Sequence, residues 1–305
     1  MRKWLRRIGL VLAGLVVAAT VVSVVYNLTT RNRDGYVYRG PSVVVDGTRL
    51  AYAHWGTHGM PIVLLGGFAE PTSVWHAAAP LLARTHRVYA VDLPPFGFSQ
   101  RRGPYTLRRW SALVRGFIDR EGLGRPVVVG HSLGAAVAVS VAPAARGVVL
   151  LDGDALPGGG GPGWLTHLLQ PPWFTSAYRL VTGSDYVFRR ALQNAWGPNP
   201  PAFDDATLDE WQLPFRIAGT ADAFKSMLRY GIQGVPPETL RTLRGPRLVV
   251  WGAHDTVDSV GAGRRDAALL RSRFVLVRDA GHLSMLAAPQ AVARAIDEFA
   301  ARARS

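Results

Sequence analysis

The stretch Val127-Val128-Val129-Gly130-His131-Ser132-Leu133-Gly134 runs from a β-branched segment, through a G-x-S-x-G turn, into the nearly all-apolar run Ala135–Ala142. The first part reads as a buried strand and the last as a buried helix. A strand joined to a helix by so short a turn must bend sharply, so the residues flanking the bend must be small. Gly130 and Gly134 meet that need. The bend lifts the Ser132 hydroxyl outward and aims the first helical N–H groups at whatever the serine attacks. The chain must therefore build a sheet with a helix on its face, and the serine sits at the carboxyl end of a strand.

The rest of the chain extends this pattern. Val43-Val44-Val45 and Arg49–Ala53 flank Asp46-Gly47, a strong hairpin signal. Strand-like runs follow at Ile62–Leu65, Val88–Val91, Val127–Val129, Val148–Leu151, Leu248–Trp251 and Phe274–Val277. Helical patterns fall between them, notably Leu107–Glu121, Leu133–Ala144 and Pro289–Arg304. Such alternation predicts an α/β fold, a mostly parallel sheet with helices on both faces.

The alternation stops between Asp154 and Leu240. This stretch opens on Gly158–Gly161 with Pro162-Gly163. It carries twelve aromatic residues, from Trp164 to Tyr230, and no strand-like run. It predicts a helical cap inserted between late strands, with the glycine run as a hinge or as an ordinary loop. The expected organisation is a membrane anchor at 1–26, a linker at 27–41, a core at 42–153 and 241–305, and the cap at 154–240.

Ile8 to Tyr26 contains no charged residue. As a helix it would reach about 28 Å, close to the hydrocarbon thickness of a bilayer. Trp4 and Tyr26 stand at its ends, where amphipathic rings favour the interface, and four basic residues precede it. These features predict a single transmembrane helix with its amino terminus cytoplasmic and the catalytic domain extracytoplasmic. The alternative is a cleaved signal peptide followed by secretion, with Ala18, Ala19, Thr20 and Ser23 offering small residues to a peptidase. The apolar run exceeds the length usual for such a segment.

The net charge is +14, of which Arg2, Lys3, Arg6, Arg7, Arg31 and Arg33 contribute +6 before the first acidic residue. The remainder is scattered, with no basic stripe interleaved with aromatics, so nucleic-acid binding is not expected. There is no cysteine. Disulfides, thiolate catalysis and Cys-ligated metals are thereby excluded, and no cofactor or metal is expected.

A serine hydroxyl needs a base, and the base needs an orienting acid. Open α/β sheets place such groups at the carboxyl ends of strands. Leu248–Trp251 leads to Asp255, and Phe274–Val277 leads to His282. The order Ser132, Asp255, His282 suits triad chemistry on this kind of sheet. Asp258, Asp152 and Asp154 are rival acids, and His131 and His254 are expected to shape the site. The oxyanion should meet two backbone N–H groups. One is that of Leu133, after the nucleophile. The other is that of Phe68, in the Gly66-Gly67-Phe68-Ala69-Glu70 loop after a strand.

From about residue 40 to 303 the chain resembles the α/β-hydrolase superfamily, in its cap-bearing branch. The match lies in Gly66-Gly67-Phe68, Asp92–Ser99, Gly130–Gly134, Trp251-Gly252-x-x-Asp255, and Ala280-Gly281-His282-Leu283 leading into Ala288-Pro289. Two positions depart from it: Gly66 stands where the family usually has histidine, and Pro95 where it usually has glycine. Related haloalkane dehalogenases and epoxide hydrolases carry aspartate at the nucleophile position, so Ser132 argues against those activities. The resemblance implies hydrolysis through an acyl-enzyme. The expected substrate is a small apolar acyl or aryl ester, with the membrane contacted through residues 8–26. An acyltransferase, a perhydrolase or a carbon–carbon bond hydrolase would use the same triad. A membrane-tethered binding protein without catalysis is the reading of another class.

Overall fold

Asp46 and Gly47 adopt φ of +45° and +70° and fold strand β1 (Ser42–Val45) back onto β2 (Thr48–Trp55). Positive φ at both turn residues matches the twist of the two strands. In this computed structural model, which describes residues 2–30, 38–158, 172–231 and 233–303, the hairpin opens an eight-stranded sheet. The other strands are β3 (Met60–Leu65), β4 (His86–Val91), β5 (Val127–His131), β6 (Gly147–Leu151), β7 (Arg247–Gly252) and β8 (Arg273–Val277). Their order is β1-β2-β4-β3-β5-β6-β7-β8. The β1–β2 and β2–β4 pairs are antiparallel, and the rest are parallel.

Both faces of the sheet are covered. Along β3, Ile62 and Leu64 enter one apolar core while Val63 and Leu65 enter the other, as the two-residue period of a strand requires. On the Val63 side lie helices α3 (Leu107–Arg120), α4 (Leu133–Val141) and α10 (Val260–Leu270). On the Ile62 side lie α2 (Ala79–Leu82), α11 (Ser284–Ala287) and α12 (Pro289–Arg302). Helix α3 buries Trp110, Leu113, Val114, Phe117 and Ile118, one stripe at helical spacing. Its first turn is closed by the Thr106 hydroxyl, which accepts from Arg109 N–H. The helix expected over Leu133–Ala144 ends at Val141 and continues as a 3₁₀ turn, Ala142–Ala144. Pro143 in that turn has no N–H to extend the α ladder.

Between β6 and β7 the described residues form α5 (Pro172–Thr182), α6 (Asp185–Trp196), α7 (Asp205–Gln212), α8 (Thr220–Leu228) and α9 (Pro237–Thr242). Residues 159–171, which hold the rest of the glycine run and Trp164, lie outside the described residues. So does the hinge expected there.

Helix α1 runs from Arg2 to Thr29. It exceeds the Ile8–Tyr26 segment at both ends and takes in the first residues of the expected linker, because no proline interrupts it. It is the one described helix long and apolar enough to cross a membrane, and its apolar side chains are exposed.

Candidate active site

The carboxyl ends of β5, β6 and β7 are aligned by the ladder itself. Ser132 N–H donates to Leu151 O (3.1 Å), Asp152 N–H to Val250 O (3.0 Å) and Ala253 N–H to Val277 O (2.8 Å). Ser132, Asp152 and the 253–255 loop therefore stand side by side. Ser132 has φ +48° and ψ −123°, a region that non-glycine residues enter only under constraint. The constraint is the crossing of strand and helix. A Cβ on Gly130 would stand 2.1 Å from the Gly134 carbonyl oxygen, so only glycine permits the approach.

His282 follows β8 and is buried. Its Nδ1 lies 2.9 Å from Asp255 Oδ2. Asp255 Oδ1 accepts from Val257 N–H (2.8 Å) and Asp258 N–H (2.9 Å), so the carboxylate is held at both oxygens. Two of the rival acids are engaged elsewhere. Asp154 pairs with Arg265 at 2.6 Å. Asp152 accepts from Gly252 N–H at 2.6 Å and from the Ser284 hydroxyl. Asp258 gives its own N–H to Asp255. A carboxylate only accepts, so His282 Nδ1 carries a proton that faces Asp255.

His131, next to Ser132, is fully buried. It reaches Glu70 Oε2 with Nδ1 (2.8 Å) and the His282 carbonyl with Nε2 (2.8 Å). Both partners accept, so both ring nitrogens donate and the ring is an imidazolium. Burial alone would lower its pKa, but the Glu70 charge and hydrogen bond, helped by Asp152, outweigh this and push it up to about 9. Burial would raise the Glu70 pKa, but His131 and the Gly67 N–H outweigh it and hold the carboxyl below its usual range. Burial also pushes Asp152 up to about 7. Glu70 further accepts from Gly67 N–H at 2.6 Å. One buried ion pair thus ties the 66–70 loop to the His282 loop.

That loop lies against the serine, since a Cβ on Gly67 would stand 2.7 Å from Ser132 Cβ. Phe68 is half-exposed, and its ring packs edge-on against Phe96 and Phe224, with centroids 5.5 Å away in each case. Leu133 opens α4 directly behind Ser132. His254 does not contribute a side chain here. It is exposed, and only its N–H is engaged, with Ala280 O.

A profile of the alpha/beta hydrolase family matches residues 62–295. The chain belongs to the alpha/beta hydrolase family. It is 26% identical over 265 residues to the uncharacterized hydrolase YugF of Bacillus subtilis, covering 84% of this chain and 95% of that protein. It is 25% identical over 285 residues to the 2-hydroxy-6-oxo-6-(2'-aminophenyl)hexa-2,4-dienoic acid hydrolase of Metapseudomonas resinovorans, covering 90% and 94%. Among solved structures it is similar to a membrane phospholipase A, with a TM-score of 0.72, 22% identity and full coverage of both chains. At that identity the likeness concerns the fold.

Within this alpha/beta hydrolase the space beside Gly66 is bounded by Glu70. A side chain at position 66 would meet Glu70 Cβ at 3.2 Å and its carboxylate at 3.4 Å. The Glu70 side chain occupies the space. Residue order alone could not assign Glu70 a part, because its partner His131 lies 61 positions away.

A second connection, also invisible in the sequence, joins the helical insertion to the His282 loop. Gly281 N–H donates to Trp196 O (2.8 Å) and Leu283 N–H to Ala195 O (2.9 Å). The end of α6 therefore clasps His282 from both sides in the chain. A Cβ on Gly281 would stand 2.6 Å from Ala195 O. Gly281→Ala is expected to push this loop off α6 and lower kcat by roughly 10²-fold, since displacements of about 1 Å cost that much. Steady-state kinetics of the purified variant, with KM read separately, checks it.

Proposed function

We propose that the protein is a membrane-tethered serine hydrolase that cleaves carboxylic esters through an acyl-enzyme. Ser132 Oγ forms a bond to the ester carbonyl carbon while His282 Nε2 takes its proton. Asp255 holds the His282 ring and stabilises the imidazolium. The N–H groups of Phe68 and Leu133 receive the oxyanion. Collapse of the intermediate breaks the carbon–oxygen bond to the alcohol, which leaves with the proton from His282. Water then gives a proton to His282, attacks the acyl carbon, and frees the acid and Ser132.

The observation that carries this reading is the His282 Nδ1–Asp255 Oδ2 contact of 2.9 Å at the carboxyl end of the sheet that presents Ser132. It leaves Nε2 free to act as the base. The helical insertion is read as a cap over the site, with Phe224 edge-on against Phe68 and Phe215 and Tyr178 tilted against Phe224. The rings favour an apolar acyl or aryl group. Helix α1 is read as the tether, with the catalytic domain outside the membrane.

A panel of p-nitrophenyl esters of increasing acyl length tests the proposal on the full-length chain. The expected result is turnover that rises with acyl length before falling. Absence of turnover across the panel would remove ester hydrolysis from consideration. Product analysis with added alcohol or peroxide separates hydrolysis from acyl transfer and perhydrolysis.

A further inference from the structure

Helix α5 has two apolar faces, and the fold uses one. Tyr178 turns inward onto Phe215 and Phe224, with centroids 6.4 Å and 5.6 Å away. The other face carries Trp173, Ala177, Leu180 and Val181, spaced as one helical stripe and all exposed. Leu180 and Val181 are 59% and 51% exposed, and Tyr186 in the first turn of α6 is 78% exposed. A contiguous apolar stripe left bare on a soluble face marks a surface that meets something apolar.

The position of α5 says what that is. Its third edge is fixed to α1: Ser23 Oγ and Ser176 Oγ are 2.6 Å apart, Asn27 Nδ2 donates to Pro172 O at 3.0 Å, and an Arg179 guanidinium N–H donates to Asn27 O at 2.7 Å. Ser23 is buried by this contact. It stands three residues before Tyr26, where the uncharged run of α1 ends, hence about 4.5 Å inside that end. If α1 spans a bilayer, α5 meets it at the level of the lipid headgroups. Trp173 and Tyr186 are the residue types that settle there. Beside them lies a cavity of about 400 Å³ lined by Tyr26, Thr30, Arg179, Thr182, Phe215 and Arg216. Hydroxyls and guanidinium groups around an aromatic ring suit the phosphate of a lipid headgroup.

We infer that the cap itself rests in the membrane interface along the α5 stripe and the start of α6, and that the substrate is an ester whose acyl chain lies in the bilayer and enters the site from the lipid side. This rests on the reading of the chain as a tethered ester hydrolase. It adds that the tether presents a particular face of the cap to the lipid, rather than holding the domain at a distance in water. The ring column Phe215–Phe224–Phe68, with successive centroids 5.7 Å and 5.5 Å apart, leads from the cavity that Phe215 lines to the loop assigned to the oxyanion.

The absence of cysteine makes a direct test simple. Full-length Leu180→Cys and Val181→Cys chains, labelled with a fluorophore, are reconstituted into phosphatidylcholine–phosphatidylglycerol vesicles containing nitroxide-labelled lipid. Val44→Cys, exposed on the edge strand β1, is the reference. Strong quenching at 180 and 181 with little at 44 is the expected result. Equal quenching at all three overturns the inference, whatever the enzymatic behaviour. A second measurement follows the substrate. Leu180→Asp with Val181→Asp should lower hydrolysis of a long-chain ester carried in vesicles by about 10-fold or more, because a charged residue opposes interfacial seating. Hydrolysis of a short, water-soluble aryl ester should be unchanged. An unchanged rate on the vesicle substrate would overturn lipid-side entry. Failure of the ester-hydrolase reading registers separately, as no turnover of the short ester by the unmodified chain.

Discussion

Ser132→Ala is expected to reduce kcat by at least roughly 10⁴-fold while leaving KM within a few-fold, because members of a triad act as a unit. The size of the effect follows from the geometry. Ser132 is held at φ +48° by the Gly130–Gly134 crossing, so the alanine variant keeps the same backbone. The His282–Asp255 pair does not depend on the serine hydroxyl. What the variant loses is the attacking oxygen alone. The proposed oxyanion donors at Phe68 and Leu133 would remain, and with them a residual rate above water. Stability should move by less than about 1 kcal/mol, since no hydrogen bond from the Ser132 side chain caps α4. Steady-state kinetics beside thermal melts distinguishes this from a folding defect.

Glu70→Gln is the second large effect. Glu70 and His131 are a buried charge pair, and removing one partner of such a pair leaves the other without compensation, at a cost of about 3 kcal/mol. For a domain of this size that corresponds to a fall in Tm on the order of 10 °C. Its pH dependence has a definite sign. The His131 pKa is raised from 6.5 to about 9 on folding, so its contribution is full below pH 6.5 and disappears as pH rises through about 9. The Glu70 pKa is lowered from 4.5, so its contribution is present above pH 4.5 and disappears in more acid solution. The stability difference between wild type and Glu70→Gln should therefore be greatest between about pH 4.5 and 6.5 and shrink toward pH 9. Thermal melts of the two proteins across pH 4 to 10 check it. A constant difference would contradict the imidazolium assignment. Activity should fall as well, because Glu70 also holds the Gly67 N–H beside Ser132.

The strands and the family were legible because each depends on local pattern. Val127–Val129, Val148–Leu151 and Leu248–Trp251 are short apolar runs, and central strands buried on both faces need that composition. The residues after them were legible because the ladder extends past the strand ends, carrying Ser132, Asp152 and Ala253 into register. Position after a strand and chain order favour Asp255 over Asp152, Asp154 and Asp258. The fold puts Asp255 Oδ2 2.9 Å from His282 Nδ1.

What the sequence did not reveal are contacts between distant segments. Glu70 gained its part from His131, and Gly281 from the end of α6. Ser23 gave no local sign of its contact with Ser176, 153 positions on. His254 was expected near the chemistry through sequence adjacency, yet its side chain faces solvent because the turn after β7 directs it there. In each case the deciding quantity is a distance across the fold, and no periodicity encodes it.

The central claim is that Ser132 forms the covalent intermediate. Treating the full-length protein with a fluorophosphonate and mapping the adduct by peptide mass spectrometry tests it most directly. The account predicts one stoichiometric adduct on the peptide containing Ser132, abolished in Ser132→Ala and slowed in His282→Ala. No adduct, or an adduct on another residue that persists in Ser132→Ala, would contradict it.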